Sequence, residues 1–275
     1  MTCVTRSAHE AVISIRDLSA SYGDRRVLHG VDLDMYRGEI FVLLGGSGSG
    51  KTTLLKQVLG LAKPDAGTIL VNGVDITSCT ASELAAIRRR IGVAFQGSAL
   101  FNSLSIAGNV ALPLEELTQL ADPIIDLMVW MKLKAVGLAD ESNFFPHQLS
   151  GGMRKRAAIA RAMALDPDIL VFDEPSAGLD PIVAAGLDEL ILFLKRGFGM
   201  TVLVVTHEMD SALHIADRIA LLHEGGVIAV GTREEFLETN HPRARQFLER
   251  RPDPAPREAA DGFAAAFLRR IDHES

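Results

Sequence analysis

A glycine-rich stretch most constrains how this chain of 275 residues can fold. It follows the apolar run Ile40–Leu44, precedes the helix-forming segment Leu54–Leu59, and comprises Gly45, Gly46, Ser47, Gly48, Ser49, Gly50, Lys51, Thr52 and Thr53. Glycines are required there because the backbone must turn its N–H groups inward, where a Cβ would obstruct a polyphosphate. The N-terminus of the following helix adds positive potential. The pattern predicts a phosphate-binding loop, and a glycine-rich turn that arose by chance is the alternative.

Three polar side chains of this loop have distinct expected roles. Lys51 is expected to neutralise charge on the β- and γ-phosphates, and Thr52 to offer its hydroxyl to Mg²⁺. Thr53 is placed to hydrogen-bond a phosphate oxygen. A Mg²⁺-bound polyphosphate is therefore the expected ligand.

The charge balance limits the classes of partner. The 28 basic and 35 acidic residues give a net charge of −7, which argues against a nucleic-acid partner. Cys3 and Cys79 lack the spacing of a metal site or a disulfide framework, as expected of a reducing compartment. Residues 1–6 lack the apolar region of a signal peptide, and no apolar run approaches the roughly 18 residues that span a bilayer. We therefore expect a cytoplasmic chain, with any membrane crossed by other chains.

Short alternating stretches near the N-terminus predict an antiparallel β layer beside the nucleotide core. They are Val12–Ile15, Val27–Met35 and Gly67–Val71, the last of which follows a turn. The first two are separated by a loop that contains Tyr22. This side chain either stacks on an adenine face or packs as an ordinary turn tyrosine on its own strand.

The middle of the chain predicts one more core strand and then a helical insert. The strand Ile91–Phe95 delivers Gln96 to its carboxyl end, where α/β sheets bind ligands. Gln96 is therefore either a Mg²⁺ or water contact, or merely a turn residue. Residues 98–149 are largely helical, including Pro123–Met131 and Met131–Leu138, and Trp130 is expected in the core.

A second helix with a phosphate-facing start follows the insert. Residues 154–162 form helix strongly, and Ser150 is the natural N-cap. The helix carries four cations, which we interpret as a solvated face rather than a nucleic-acid patch: Arg154, Lys155, Arg156 and Arg161.

Two further apolar strands end in polar residues. Ile169–Phe172 leads to Asp173, expected on Mg²⁺, and to Glu174, expected to reach an attacking water because adjacent side chains point to different sides. Thr201–Thr206 leads to His207, which is either structural or a γ-phosphate contact. Between them, residues 176–181 predict a tight turn before a helix at 182–195.

Taken together, these stretches resemble the ATP-binding cassette family over residues of about 12 to 240. The resemblance implies a role for each motif. In chain order these are the adenine-stacking Tyr22, the Walker A loop Gly45–Thr52, the Q-loop Gln96, the signature Leu149–Met153 with Ser150, Gly151 and Gly152, the Walker B Asp173, the catalytic Glu174, the D-loop Ser176–Asp180 and the switch His207. Mg²⁺ would lie among Thr52, Gln96 and Asp173. Met153 stands where most cassettes have Gln. This difference is expected to alter only the fine geometry of the signature, because Ser150 and Gly152, which offer the hydroxyl and N–H groups, are present.

The family also implies a fold and an assembly. The fold is α/β, a P-loop NTPase core with a parallel sheet, an N-terminal antiparallel β subdomain and a helical subdomain at about residues 98–162. The assembly is a head-to-tail homodimer that hydrolyses ATP held between the Walker A loop of one subunit and the signature of the other. Lys51 and Ser150 both head phosphate-facing helices, and the family places them far apart within one subunit.

Four segments are similar to the ATPase subunits of Mla-type phospholipid transporters, which maintain outer-membrane lipid asymmetry in Gram-negative bacteria. They are residues 96–114, 131–138, 150–153 and 172–175. By this resemblance the chain is expected to lie on the cytoplasmic face of the inner membrane and to bind permease subunits through the surface near Gln96–Leu104. A small accessory subunit is a further partner that the resemblance implies. Leu100, Phe101 and Leu104 would receive the permease, or are plain core.

The alternative function is a soluble ABC-type ATPase of DNA repair or translation. Such proteins usually carry paired cassettes, long inserts or basic tails, whereas this chain has one copy of each motif and an acidic balance. The sequence therefore favours the transporter subunit.

The predicted organisation is a leader at 1–11, the ATPase domain at 12–240 and an extension at 241–275. The extension contains a linker at 251–256 and then apolar residues at helical spacing, namely Phe263, Phe267, Leu268 and Ile271. This helix is expected to dock on the dimer mate or on an accessory subunit, and a frayed terminus is the alternative.

Overall fold

A computed structural model of the chain describes residues 11–252. In chain order the elements of this part are β1 (Ala11–Tyr22), β2 (Arg25–Tyr36), β3 (Ile40–Leu44), α1 (Lys51–Val58), β4 (Ala66–Val71), β5 (Val74–Asp75), α2 (Ala81–Arg88), β6 (Ile91–Ala94), α3 (Ile106–Leu117), α4 (Asp122–Ala135), α5 (Gly151–Ala162), β7 (Ile169–Asp173), α6 (Pro181–Phe198), β8 (Thr201–Thr206), α7 (Met209–Ile215), β9 (Arg218–His223), β10 (Gly226–Thr232), α8 (Arg233–Leu237) and α9 (Pro242–Leu248). A single 3₁₀ turn, Pro146–Gln148, precedes α5.

The predicted antiparallel layer is a four-stranded sheet of order β2-β1-β4-β5. Its central strand β1 pairs with β2 and β4, and its buried side chains, such as Ile13 and Ile15, join a core cluster with Phe41 and Leu54. β1 begins at Ala11, inside the segment predicted as a leader. Tyr22 ends this strand instead of lying on a loop, because the hairpin turn is only Gly23-Asp24.

The second sheet has six strands in the order β10-β9-β3-β8-β7-β6, all parallel to β3 except β10. All five residues of β3 and all six of β8 are buried. Such continuous apolar runs are typical of strands covered on both faces, as parallel sheets are. The predicted α/β class, with an antiparallel β subdomain and a helical insert, is confirmed.

The helical insert consists of α3, α4, the 3₁₀ turn and α5. The two helical stretches predicted around Met131 form the single helix α4 as far as Ala135, whereas residues 136–138, predicted as helix, form a turn beyond its end. Trp130 on this helix is 54% exposed, so the prediction that it lies in the core was wrong. The prediction failed because α4 carries apolar side chains on its exposed face as well as on its buried one. Ile124, Leu127 and Met131 are exposed beside Trp130, so the apolar pattern does not show which face is buried.

Polar caps fix where the helices begin. Ser150 is the N-cap of α5, as predicted, and its Oγ accepts a hydrogen bond from Met153 N at 3.3 Å. Asp180 caps α6 by accepting from Ile182 N and Val183 N, both at 3.0 Å. These caps satisfy backbone N–H groups that a helix leaves without an internal partner.

The chain divides after Thr239 into two units. The first holds both sheets and the helices α1 to α8. Of the second, the structure describes residues 240–252, including α9, which starts with Pro242 at its first position. The linker predicted at 251–256 lies largely, and the helix predicted around Phe263 to Ile271 entirely, outside the described residues, so both stay predictions.

Candidate nucleotide-binding site

Four strands of the parallel sheet deliver their following residues to one edge. β3 ends beside β8, with Leu44 paired to Thr206, and β7 lies on the other side of β8, with Asp173 paired to Val205. β6 pairs with β7 up to Ala94 and Phe172. The polar residues that follow these strands therefore meet at the carboxyl edge, where open α/β sheets bind ligands.

The loop after β3 has the geometry of a phosphate cradle. Gly50 has φ 107°, and a Cβ there would lie 2.9 Å from Leu28 Cδ2. At Gly45 a Cβ would lie 2.5 Å from Leu222 O. Beside Gly46 and Gly48 there is open space. The glycines thus permit the turn on one side and leave the concave side free for a ligand.

Lys51, at the first position of α1, folds back over this loop. Its Nζ donates hydrogen bonds to Gly45 O at 2.7 Å and to Gly46 O at 3.1 Å. Burial lowers the pKa of Lys51, and the carboxylates of Glu174 and Asp173 oppose that effect. The ammonium group is therefore held between the loop and the two carboxylates at the end of β7, Asp173 and Glu174.

Glu174 lies at the centre of the cluster. Its Oε1 is 3.9 Å from Lys51 Nζ, and its Oε2 is 2.8 Å from His207 Nδ1 and 3.3 Å from Thr206 Oγ1. Its side chain is largely buried, whereas His207 is exposed. Lys51, Glu174 and His207, all predicted site residues, are thus brought into one contact network.

Asp173 is the last residue of β7 and is half-buried next to Glu174. Burial raises the pKa of Asp173, and the charge of Glu174 raises it further, while Lys155, Lys51 and Lys56 lower it in part. A nearby cation would stabilise the ionised carboxylate of Asp173, because its charge opposes both the burial and the like charge of Glu174 that disfavour ionisation.

The cations of α5 do not form the solvated face that we predicted. Lys155 is buried, and its Nζ donates to Gln96 O at 2.6 Å and to Glu174 O at 3.1 Å. Arg161 donates to Ser98 O and Ala99 O. The helical spacing contained a signal, because Lys155 lies at i+3 from buried Gly152 and at i−4 from buried Ile159, on the buried stripe of α5.

The signature residues lie at the exposed start of α5. Ser150 is exposed, and a Cβ at Gly152 would lie 2.5 Å from Val183 Cγ1, so a glycine is needed where α5 approaches α6. Within residues 11–252, no hydrogen bond or ion pair joins Ser150, Gly151 or Gly152 to the loop of Lys51. One chain therefore does not bring these two motifs together.

Two other predicted residues lie at the periphery. Tyr22 is 55% exposed at the tip of the β1–β2 hairpin, whose second strand reaches the phosphate loop because Val27 O and Leu28 lie close to Gly50. Asp180 is exposed and caps α6, so its side chain already has a structural task. Gln96 is exposed just beyond β6.

The surface that follows Gln96 is not core. Phe101 is exposed, with Arg161 over its ring at 6.0 Å, and Leu100 and Leu104 are only partly buried. Phe95, the residue before Gln96, lines a mostly apolar groove together with Leu59, Leu61, Arg88, Ile91 and Val93. The alternative that the three apolar side chains are plain core is therefore wrong.

Asn109, fully buried in α3, was missed by sequence reasoning. Its Oδ1 accepts from Phe101 N at 2.8 Å, and its Nδ2 donates to the carbonyl oxygens of Phe101, Leu104 and Ser105 at 2.9 to 3.2 Å. This side chain holds the whole turn of residues 101–105. An amide inside an otherwise apolar helix start was the signal that the sequence offered.

The fold and the site define an ATPase in which a phosphate loop and a carboxylate–histidine pair share one sheet edge. A family model described as "ABC transporter" matches residues 28–177, and the chain belongs to the ABC transporter family. The predicted family and ATP-hydrolysing class are confirmed, with ATP as the nucleotide. Among the described residues, no helix is both long enough and apolar enough to cross a membrane.

Named relatives align over most of this chain. It is 43% identical over 239 residues to the "Probable ribonucleotide transport ATP-binding protein mkl" of Mycobacterium leprae, covering 87% of this chain and 69% of that protein. It is 42% identical over 238 residues to the "Intermembrane phospholipid transport system ATP-binding protein MlaF" of Escherichia coli K12, covering 86% of this chain and 88% of that protein.

Two solved structures share the fold. A dimeric ATP-binding cassette in a post-hydrolysis state, bound to ADP and Pi, matches with a TM-score of 0.74 at 32% identity, covering 80% of this chain and 98% of that one. The cbiO1 protein of Clostridium perfringens, part of an ABC transporter complex, matches with a TM-score of 0.79 at 29% identity, covering 87% and 96%. The architecture is thus that of an ABC ATPase domain.

Proposed function

We propose that this chain is the ATP-hydrolysing subunit of an Mla-type transporter that moves phospholipid between the membranes of a Gram-negative bacterium. The observation that carries the proposal is the position of Glu174, with one carboxylate oxygen 3.9 Å from Lys51 Nζ and the other 2.8 Å from His207 Nδ1. Lys51 would then supply a cation for the phosphate, Glu174 a base for the attacking water and His207 an imidazole, all at one reacting centre.

Coverage of the relatives supports phospholipid as the cargo. MlaF of Escherichia coli and MlaF of Haemophilus influenzae, 42% and 41% identical to this chain, align over 88% and 93% of their own length. The protein mkl, whose name refers to ribonucleotide transport, aligns over 69% of its length. The chain therefore corresponds to nearly a whole MlaF protein and to only part of mkl.

Each side chain of the cluster has a task in the hydrolysis. Lys51 leaves its two carbonyl partners to neutralise charge that spreads over the γ-phosphate oxygens. Glu174 orients the attacking water and accepts its proton, which turns a poor nucleophile into a better one. His207 holds the Glu174 carboxylate on one side and reaches the γ-phosphate on the other.

The oxygen donors at this edge fit Mg²⁺. Thr52 offers a hydroxyl, Gln96 an amide oxygen, and Asp173 a half-buried carboxylate whose pKa burial raises. Within residues 11–252 no group of three or more His, Cys, Asp or Glu side chains could hold a metal by itself. This agrees with Mg²⁺ held by one or two protein oxygens together with substrate phosphates. The ion would balance phosphate charge as the leaving group departs.

A second copy of the chain would complete each site. Ser150, with its exposed hydroxyl and helix N-terminus, would bind the γ-phosphate of the nucleotide held by Lys51 of the other copy. The related cassette solved with ADP and Pi is dimeric, which supports a dimer of this chain. Tyr22 would stack on the adenine ring, and Asp180 would lie at the contact between the copies.

The exposed apolar residues after Gln96 would receive a helix of a membrane permease. Phe101 and the groove beside Phe95 flank Gln96, so a permease helix docked there would touch the loop that leads to the site. In this proposal the chain would lie at the cytoplasmic face of the inner membrane, with a small accessory subunit as a further partner. None of the three named relatives is named for DNA repair or translation, and the acidic net charge also disfavours that alternative.

The test is Glu174→Gln in the full chain, expressed with its membrane complex. Without the carboxylate, steady-state ATP turnover should fall by about 10² to 10⁴ because a positioned base is lost. ATP binding should persist, and the chain should dimerise when ATP and Mg²⁺ are added. The complex purified from membranes should contain permease chains and phospholipid.

Lys51→Ala is the matched control, since it should lose ATP binding itself, measured by nucleotide titration. Wild-type turnover by Glu174→Gln would contradict the role of Glu174. A complex that carries ribonucleotide instead of phospholipid would contradict the cargo but leave the ATPase assignment intact.

A further inference from the structure

Lys155 occupies an unusual position for a lysine. It lies in the second turn of α5 and is only 8% exposed, against Phe95, Phe172 and Pro175, which line a small apolar cavity with it. Burying an ammonium group costs free energy unless hydrogen bonds and charges compensate. Its surroundings supply both.

The ammonium group bridges two carbonyl oxygens at the point where β6 and β7 separate. These strands pair up to Ala94 and Phe172, and the carbonyls that Lys155 binds belong to residues two positions further along each strand, Gln96 and Glu174. Carbonyl oxygens beyond the end of a ladder need new donors, and a lysine offers three. Glu174 O also accepts from Ala177 N at 3.3 Å, and Lys155 adds the donor that it shares with Gln96 O. Lys155 therefore continues the connection between the two strands after their own hydrogen bonds end.

The charges around the ammonium group of Lys155 are opposite in sign to its own. Burial lowers the pKa of Lys155, and the carboxylates of Asp173, Glu174 and Glu208 oppose that effect. The same helix also holds the Gln96 loop a second time, because Arg161 donates to Ser98 O and Ala99 O, whose residues have φ 61° and 50°. Of these two cations, Lys155 is the one that also binds Glu174.

We propose that Lys155 is a positioning residue for ATP hydrolysis, which ties the backbone of Glu174 to the loop of Gln96. The inference rests on the proposed role of Glu174 as the residue that orients water. Glu174 has a backbone φ of 49°, so its side-chain direction depends on what holds its peptide groups. Because Lys155 Nζ contacts both backbones, a displacement of the Gln96 loop would be transmitted to Glu174, and this connection would link docking at the loop to the rate of hydrolysis.

The test compares two buried lysines of equal exposure in the full chain. Lys132 in α4 is also 8% exposed, but it pairs with Asp166 and has no contact with the catalytic cluster within the described residues. Lys155→Met should lower kcat by about 10- to 100-fold, as small misplacements of a reacting group do, with KM for ATP changed by less than about 3-fold. Lys132→Met should lose stability but keep kcat within about 3-fold of wild type.

A conservative variant separates positioning from packing. Lys155→Arg keeps a cationic donor and should hold kcat within about 5-fold of wild type. If Lys155→Met does not fold, Lys155→Gln takes its place, because its amide is too short to reach both carbonyls and should lower kcat in the same way.

Three results would overturn the proposal. They are equal kcat in Lys155→Met and Lys132→Met, a rise in KM with kcat unchanged, and a kcat for Lys155→Arg as low as that for Lys155→Met. Failure of the proposed function would look different, since Glu174→Gln would then hydrolyse ATP at the wild-type rate. Folding is monitored in every variant by its urea unfolding midpoint.

Discussion

At the scale of single residues, the backbone of Glu174 stores strain at the reacting centre. Its φ of 49° lies in the left-handed region, which costs a non-glycine residue about 1–3 kcal/mol. The surrounding structure holds it there, because Glu174 N donates to Val205 O at 2.8 Å and Glu174 O accepts from Lys155. This conformation turns the carboxylate out of the line of β7 and toward His207, where Asp173 does not reach.

Asn109 is a second residue whose removal should have a large effect. Asn109→Ala would leave the N–H of Phe101 and the carbonyl of Leu104 without a partner, whereas Phe101 O still accepts from Leu104 N and Ser105 O from the backbone N of residue 109. With two backbone groups left unpaired, the free energy of unfolding should fall by about 2–4 kcal/mol. The loss is measured by urea denaturation of the full chain. The turn at residues 101–105 should also become accessible to protease.

Ser105→Ala is the control for this variant because it removes one hydrogen bond from the same turn. Ser105 Oγ accepts from Gly108 N at 3.0 Å as the N-cap of α3. Loss of such a cap should cost about 1 kcal/mol. If Asn109→Ala costs no more than Ser105→Ala, the amide does not organise the turn.

At the scale of elements, α6 holds the helix that follows His207. Asp188 of α6 and Ser211 of α7 are both buried, and Ser211 Oγ donates to Asp188 Oδ1 at 2.6 Å. Burial raises the pKa of Asp188, the hydrogen bond from Ser211 and the charge of His214 lower it in part, and Glu208 and Glu189 raise it. The ionised carboxylate is therefore less favourable in the folded chain than in the unfolded one.

The sign of this shift predicts how Asp188→Asn behaves. A raised folded-state pKa stabilises the wild type fully below the ordinary aspartate value, and this contribution is lost as the pH rises through the folded-state value. The asparagine still accepts the hydrogen bond from Ser211 and does not titrate. The unfolding free energy of Asp188→Asn relative to wild type should therefore increase as the pH rises above the ordinary aspartate pKa and through the raised folded-state one.

Glu189→Gln serves as the comparison for this titration, because it removes an exposed carboxylate next to Asp188 on the same helix. Its ion pair with His214 is exposed on both sides and should contribute at most about 1 kcal/mol. Urea midpoints measured across the pH range decide the matter. If the difference in unfolding free energy between Asp188→Asn and wild type stayed constant across the pH range, burial would not raise the pKa of Asp188.

The elements also show how far sequence reasoning reaches. Apolar runs, glycines and caps are local signals, so β3, the phosphate loop and the Ser150 cap could be predicted from the sequence. The sequence predicted that Glu174 and His207 both follow core strands, but it did not predict their contact, because that contact depends on β7 and β8 being neighbours in the sheet. The burial of Lys155 could not be predicted from its charge, since the carbonyls that compensate it come from Gln96 and Glu174, distant in sequence.

At the scale of the whole molecule, the phosphate loop and the signature motif of one chain do not meet. Lys51 lies at the carboxyl edge of the parallel sheet, and Ser150 heads a helix of the insert, without a hydrogen bond between their motifs in the part of the chain that the structure describes. The proposed homodimer would join the Lys51 half of each copy to the Ser150 half of the other. This arrangement makes a prediction about mixtures of defective chains.

Two variants that cannot dimerise alone should dimerise when mixed. In a Glu174→Gln background, Lys51→Ala removes the phosphate cation from both sites of its homodimer, and Ser150→Arg blocks both signature contacts. In the mixed dimer both defects fall on one site, so the other keeps an intact Lys51 and an intact Ser150. With ATP and Mg²⁺, sedimentation should show a dimer only in the mixture, with one ATP bound for each pair of chains. Dimers of either variant alone, or two ATP molecules for each mixed pair, would contradict the head-to-tail arrangement.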